Sequence, residues 1–311
     1  VDLSIVIPAY NEEHSIKQLC HQIKNVLDNL EESSEIIIVD DGSTDGTSLV
    51  LKQLKEEMKE LKIITLRSNF GQTAALSAGF DNAEGDIVIT LDADMQNDPN
   101  DIPKLIEKIH EGYDVVSGWR KNRKDKFISR KIPSFLANRL ISFITGVSLH
   151  DYGCTLKAYK KEIIKDVQLY GQMHRFIPAL AKWVGGKITE IPVNHYPRKF
   201  GKSKYGISRT IRVVLDLITI KFLLSYATSP IQIFGFIGVV SGGLGFGWTG
   251  WLVFQRFFMD IPLGSRPALL FSVMLMFLGV QFISLGLIAE LLTRTYHESQ
   301  KKNIYAIKDI L

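Results

Sequence analysis

Asp86-Ile-Val-Ile-Thr-Leu91 runs directly into Asp92-Ala-Asp94, Met95 and Gln96. A short apolar run rich in β-branched residues, ending abruptly on carboxylates, reads as a buried strand whose last residues leave the sheet. Alternate residues leaving a strand point the same way, so Asp92 and Asp94 are expected on one side, with Gln96 adding an oxygen. Two such carboxylates suit a hard divalent cation, Mg²⁺ or Mn²⁺, whose shell a diphosphate completes. That cation would neutralise charge growing on a departing diphosphate. A D-x-D pair by itself is a weak signal; its place at the end of an apolar strand makes it a strong one.

The pattern of strand, polar end and helix recurs along the chain. Leu3 to Pro8 and Glu35 to Asp40 read as strands, as do Lys62 to Leu66, Tyr113 to Gly118, Thr155 to Tyr159 and Lys187 to Val193. Helical periodicity covers Glu12 to Leu30, Thr47 to Leu61, Thr73 to Asn82, Asp101 to Glu111 and Ile132 to Thr145. This alternation predicts an α/β, Rossmann-like domain over residues 1–205, with a mostly parallel sheet covered on both faces. Ligands of such sheets lie at the carboxyl ends of the strands. Pro8-Ala-Tyr-Asn-Glu-Glu13 and Asp40-Asp-Gly-Ser-Thr-Asp45 occupy two further strand ends. Asp45 or Ser43 can serve as a helix N-cap, but carboxylates so concentrated repel one another unless a cation or a donor sits among them. Neither G-x-x-x-x-G-K-[ST] nor G-x-G-x-x-G follows the first strand, which argues against a P-loop nucleotidase and a dinucleotide dehydrogenase.

Composition divides the rest of the chain. The 311 residues carry a net charge of +4. No charged residue occurs from Phe222 to Gln255 or from Pro267 to Ala289, and each run exceeds the roughly 20 residues that cross a bilayer core. Transmembrane helices are therefore expected at 229–257 and 267–292. Residues 206–228 precede the first. There, Ile207 to Leu224 mixes Arg209, Arg212, Asp216 and Lys221 with apolar residues, as an amphipathic helix in the membrane interface or an ordinary surface helix would. Gly235, Gly238, Gly242, Gly243, Gly245, Gly247 and Gly250 permit close helix approach in lipid, or loosen the helix. The short link from Arg256 to Arg266 is poorer in Lys and Arg than the other flanks, so the positive-inside rule puts the 1–205 domain and the 293–311 tail in the cytoplasm. A bacterial inner membrane is the expected location. The basic residues from Arg198 to Arg212 suit an anionic membrane or a phosphate, and without an aromatic platform they do not suggest nucleic acid. Cys20 and Cys154 lack C-x-x-C spacing and suggest neither a disulfide framework nor zinc.

Ile5-Val-Ile-Pro-Ala-Tyr-Asn-Glu-Glu13, Val39-Asp-Asp-Gly-Ser-Thr-Asp45 and Leu91-Asp-Ala-Asp-Met-Gln96 together resemble the family 2 inverting glycosyltransferases of GT-A fold. Asp151-Tyr-Gly-Cys-Thr-Leu-Lys157, Arg198 with Gly201-Lys-Ser-Lys204, and the two spans narrow the resemblance to polyisoprenyl-phosphate hexosyltransferases. Those include the dolichol-phosphate mannose synthases and bactoprenol glucosyltransferases. The resemblance covers essentially the whole chain. It implies that Pro8, Tyr10 and Glu12 bind the nucleotide and that Asp40 and Asp41 read the base, uracil through its N–H. It also implies that Asp92 contacts ribose or metal, and that Asp94 and Gln96 ligate the metal. Asp151 falls beside the sugar, as the catalytic base, and stands with Asp94 among the catalytic residues. Arg120, Arg130, Arg198, Lys202 and Lys204 fall where the acceptor phosphate or donor diphosphate is held, with Arg123, Arg139 and Arg175 as competitors.

The implied reaction is inverting transfer of a hexose, glucose from UDP-glucose, onto undecaprenyl phosphate at the cytoplasmic membrane face. The alternatives in sugar are mannose from GDP-mannose, N-acetylglucosamine and formyl-aminoarabinose. A phosphate monoester has a second pKa near ~6 and is already mostly ionised at neutral pH. Asp151 is therefore expected to orient the acceptor or support an oxocarbenium-like sugar. A homotetramer is the expected assembly. A polysaccharide synthase fits less well, because the chain has no Q-x-x-R-W. The complete set of Asp92, Asp94, Gln96 and Asp151 argues against a non-catalytic nucleotide-sugar-binding protein.

Overall fold

A computed structural model describes residues 1–121, 138–139, 141–142, 145–165, 167, 169, 173–197, 230–262, 267–299 and 307–310. The chain divides into two compact units, Val1–Leu217 with Asn303–Leu311, and Ile218–Lys302. The first unit is α/β. Its described strands are β1 (Leu3–Ala9), β2 (Ser34–Asp40), β3 (Leu61–Leu66), β4 (Ile87–Thr90), β5 (Val115–Trp119), β6 (Lys157–Lys160), β7 (Ile188–Pro192) and β8 (Ile307–Ile310). Its described helices are α1 (Ile16–Leu27), α2 (Thr47–Glu57), α3 (Gln72–Asp81), α4 (Ile102–His110), α5 (Lys161–Lys165) and α6 (Ile177–Trp183).

The strands form one sheet in the order β7-β5-β6-β4-β1-β2-β3-β8. β1 pairs in parallel with β2 on one side and β4 on the other, and β2 in parallel with β3. The winding reverses between β1 and β4, which opens a crevice at their carboxyl ends. Both faces of the central strands are covered, so β1 and β2 read as continuous Ile and Val runs rather than alternating ones. α1 buries Ile16, Leu19, Cys20, Ile23 and Leu27, a stripe at helical spacing. It starts later than its periodicity predicts because Glu12 and Glu13 are used in the preceding loop. Glu12 Oε2 accepts from Ser15 Oγ at 2.7 Å and Glu13 Oε2 from the Gly46 amide at 2.7 Å. α3 lies almost against β1: a Cβ on Gly79 would stand 2.2 Å from Val6 Cγ1.

β6 is the element that periodicity alone does not place. It runs antiparallel between β4 and β5, with Lys157 opposite Thr90 on one side and Ser117 on the other. The turn that enters β6 therefore lies at the carboxyl ends of β4 and β5, and this turn carries Asp151. β8 is a second surprise. Four residues near the end of the expected tail join the edge of the sheet, antiparallel to β3.

The second unit holds α7 (Pro230–Met259) and α8 (Pro267–Ser299). Both are long and apolar enough to cross a membrane. Gly238, Gly245 and Gly279 lie in their contact: a Cβ on Gly279 would be 2.7 Å from Gly238 O, and one on Gly245 2.6 Å from Ser272 O. A Cβ on Gly243, Gly247 or Gly250 would meet nothing within 4 Å. Because β8 follows α8 and pairs with β3, the chain entering α7 and the chain leaving α8 return to the same α/β unit. Most of the helix expected over Ile132 to Thr145, and all of the stretch Ile207 to Leu224, lie outside the described residues.

Gly79→Ala is expected to cost about 1–3 kcal/mol by overpacking α3 on β1, read as a lower melting temperature of the intact chain. Val6→Ala in the same chain should return part of that loss. Unchanged melting of the single variant would mean that α3 stands farther from β1.

Candidate active site

The carboxyl ends of β1, β2, β4 and β5 and the turn before β6 converge on the crevice. The loop after β1 is stitched to the loop after β2. The Asn11 amide donates to Ser43 Oγ at 3.0 Å, the Thr44 amide to Asn11 Oδ1 at 2.8 Å, and the Glu12 amide to Thr47 Oγ1 at 2.9 Å. Asn11 takes a positive φ of 56° to make this turn. Pro8, Tyr10 and Glu12 are thereby held at the rim, each partly exposed.

Asp40 and Asp41 face different tasks. Asp40 is fully buried and accepts from the Ser43 amide at 3.0 Å and Ser48 Oγ at 2.6 Å, so it braces the loop between β2 and α2. Asp41 accepts from the Phe70 amide at 2.7 Å and the Gly71 amide at 2.8 Å. Burial raises its pKa, the Asp40 charge adds to that, and the two amides pull it back. Asp45 accepts from the amide and hydroxyl of Thr47, at the start of α2.

Asp92 and Asp94 stand where β4 leaves the sheet, both partly exposed. Asp92 Oδ1 accepts from Gln72 Nε2 at 2.8 Å. Enclosure by protein on most sides, then the charge of Asp94, pushes the Asp92 carboxyl up to about 6, against the pull of Thr155, Arg120 and Lys157. Asp94 Oδ1 accepts from the Gln96 amide at 3.1 Å across a turn in which Met95 has φ 59°. The Gln96 side chain donates to Tyr196 O at 3.3 Å, which directs its amide nitrogen toward the chain beyond β7.

The turn before β6 supplies the other half. Asp151 is buried, and Arg120, one residue past β5, grips it with both arms of its fork: Nε to Oδ2 at 2.6 Å and Nη2 to Oδ1 at 2.9 Å. The Gly153 amide adds a third bond to Oδ1 at 3.1 Å. Burial works against the Arg120 charge, but the bond and charge of Asp151 outweigh it and raise its pKa. Lys157, at 2 % exposure, turns back from β6 to donate to Tyr152 O at 3.3 Å and to Cys154 O. Burial pulls its pKa down to about 8. Beside the fork, the rings of Trp119 and His150 stack at 4.3 Å, and Glu190 holds His150 through its amide at 2.8 Å and through the ring.

The fold thus brings Pro8, Tyr10, Glu12, Asp41, Asp92, Asp94, Gln96, Arg120 and Asp151 to one end of the sheet, with Asp40 enclosed beneath. Arg130, Arg198, Lys202, Lys204 and Arg123 lie outside the described residues. Arg139 is exposed, and Arg175 lies in the 3₁₀ turn Met173–Phe176. Sequence reasoning did not assign Gln72 or Lys157. Gln72 follows a glycine at a helix start, and Lys157 closes a motif quoted for its acid.

Residues 4–168 match the family described as glycosyl transferase family 2. Over its whole length the chain is 44 % identical to dodecaprenyl-phosphate galacturonate synthase of Rhizobium johnstonii, covering 93 % of that protein. It is 39 % identical over 99 % of its length to undecaprenyl-phosphate 4-deoxy-4-formamido-L-arabinose transferase of Klebsiella pneumoniae, again covering 93 %. Among solved structures it is similar to glucosyl-3-phosphoglycerate synthase from Mycobacterium tuberculosis in complex with Mn²⁺, UDP and phosphoglyceric acid. There the TM-score is 0.56 and the identity 19 %, over 71 % of this chain and 78 % of that one.

Between the ordinary Asp pKa of about 3.9 and the raised value of about 6, the unfolded chain has released the Asp92 proton and the folded chain has kept it. Stability falls as pH rises through that window. Asp92→Asn is therefore expected to raise the melting temperature of chelator-treated protein at neutral pH. The gain should vanish below the lower pKa, and a variant that melts lower than the parent at neutral pH contradicts it.

Proposed function

Because the chain belongs to glycosyl transferase family 2, we propose that it moves a sugar from a nucleoside-diphosphate donor onto a polyprenyl phosphate. The observation that carries this reading is the crevice itself, where Asp92 and Asp94 meet the Arg120–Asp151 fork. Two relatives named for polyprenyl-phosphate transfer, matched across both units, support the acceptor.

A divalent cation fits the oxygen donors. Burial first and then the charge of Asp94 raise the Asp92 carboxyl, and a cation between the two carboxylates would relieve that repulsion. Asp94, Gln96 and Asp92 would hold it, and when bound it would offset charge on the departing diphosphate. Mg²⁺ and Mn²⁺ share this hard, oxygen-based chemistry.

The acceptor is a phosphate monoester, largely dianionic at neutral pH, and needs little help from a base. Asp151 is suited to something else. Three donors hold its oxygens, and a carboxylate in such a fork stays ionised and fixed in place. Beside the anomeric carbon it supports positive charge on the sugar and orients the acceptor. Arg120 acts on the phosphates only through the charge left over from that pairing, so other cations must grip the acceptor; Arg130, Arg198, Lys202 and Lys204 remain our assignment for that. Tyr10 and Asp41 remain our assignment for the base. A single in-line displacement inverts the anomeric centre, giving a β-linked product from an α-linked donor.

We take the donor to be a UDP-sugar. Neither relative's name mentions glucose, and galacturonate, from the relative at 44 % identity, now stands ahead of it. The two apolar helices and the positive-inside rule support an inner-membrane protein with its α/β unit in the cytoplasm. Gly243, Gly247 and Gly250, which meet no neighbour, support a homo-oligomer.

The test is a donor screen with the purified full chain, undecaprenyl phosphate, Mn²⁺ or Mg²⁺, and UDP-galacturonate, UDP-formamido-arabinose, UDP-glucose and GDP-mannose. Lipid-linked product from one UDP-sugar, lost with chelator and with Asp94→Asn, is expected. Transfer to water alone, at a rate indifferent to the lipid, would overturn the acceptor assignment. Asp151→Asn should lower turnover strongly at saturating lipid; near-full turnover would remove Asp151 from the chemistry.

A further inference from the structure

The loop after β3 joins the end of β2 to the start of α3, beside the crevice. It starts at the far side of β2, and its contacts end at β4. Its two ends are fastened differently. On the β2 side, Asp41 takes the amides of Phe70 and Gly71 at 2.7 and 2.8 Å. Gly42, with φ 67°, lets the two backbones touch: a Cβ there would lie 2.6 Å from the Ser68 carbonyl carbon. On the β4 side, Gln72 reaches across and donates Nε2 to Asp92 Oδ1 at 2.8 Å.

The helix that carries Gln72 has little freedom to shift. Gly79 brings α3 against Val6 of β1. Six residues earlier, Thr73 Oγ1 and His174 Nδ1 share a buried hydrogen bond of 2.8 Å. Gly71, at φ 92°, makes the sharp entry into the helix. The Gln72 side chain therefore projects from a fixed base.

We propose that Gln72 is a positioning residue for the metal site: its amide holds one oxygen of Asp92, beside the hydrogen bond from Thr155, and so fixes the direction in which the carboxylate meets the cation. This rests on the reading of Asp92 and Asp94 as a cation seat. The chemistry of the residue suits the task. A metal-ligating carboxylate is commonly held by an outer hydrogen bond, and loss of that bond costs about 10–100-fold in metal affinity or activity. A neutral amide supplies the bond without bringing a positive charge against the incoming cation. Lysine or arginine at the same place would orient Asp92 and repel the metal together. Through Asp41, the same loop ties the metal side of the crevice to the end of β2.

The experiment is Mn²⁺ titration of the full chain with UDP, read by the loss of the free-ion paramagnetic resonance signal, beside the melting temperature of the metal-free protein. Gln72→Leu is expected to weaken Mn²⁺ binding by about 10-fold or more while the metal-free melting temperature and the KM for the lipid acceptor hold. Gln72→Lys keeps a donor toward Asp92, and should weaken Mn²⁺ as well because of its charge. Parental Mn²⁺ affinity in the folded Leu variant overturns the proposal, and if the Leu variant does not fold, Gln72→Ala takes its place in the same titration with the same deciding outcome. Parental protein that binds no Mn²⁺ with UDP present would instead sink the cation seat, a result distinguishable from failure of Gln72.

Discussion

Asp92, Asp94 and Asp151 share one crevice, and two cations, the partly buried Arg120 and the buried Lys157, stand against them. Among the described residues, three carboxylates stand against two cations, an excess of one negative charge. The excess is not spread evenly. Arg120 commits its fork to Asp151, and Lys157 spends its protons on the carbonyls of Tyr152 and Cys154. At the end of β4, burial first and then the charge of Asp94 raise the pKa of Asp92. A divalent cation there would carry the cluster past neutrality to a net positive charge, and a donor diphosphate would then bring its own negative charge to a site prepared for it.

The strands, and the acids at their ends, were legible in the sequence because both are local. β-branched runs bounded by polar clusters name β1, β2, β3 and β4 directly, and Asp92-x-Asp94 follows from period two. Other features depend on contacts distant in sequence. Lys157 lies in a quoted motif, but a lysine in isolation reads as surface charge. Only the insertion of β6 between β4 and β5 buries it under the turn it supports. Arg120 looks like a phosphate ligand until the turn carrying Asp151 comes back 31 residues later and takes its fork. Gln72 sits 20 residues from Asp92, on another element. β8 is four residues with two charges, too short and too polar to declare itself without the open edge of β3.

Helix boundaries failed for a related reason. Periodicity extends α1 back to Glu12, yet the backbone there follows the bonds of Asn11, Glu12 and Glu13 to the loop after β2. Side chains that would satisfy a helix's first turn are committed to a neighbouring loop. The rim of the crevice gains from that exchange, because two loops that could move separately now move as one. A crevice built from the ends of several strands is better fixed when its walls share hydrogen bonds.

The chain's connectivity imposes the last constraint. A polyprenyl tail leaves the bilayer at a cost of ~0.8 kcal/mol for each buried CH₂, so the reacting phosphate stays near the headgroups and the protein must come to it. A catalytic unit joined to the membrane by one flexible segment would sweep a wide volume and meet the surface in many orientations. Here the α/β unit is joined to the helical unit at both ends of α7 and α8, once through the segment before Pro230 and once through the segment before β8. β8 makes the second attachment part of the sheet itself, through backbone hydrogen bonds to the edge strand β3. The short C-terminal strand also covers an open edge of the sheet.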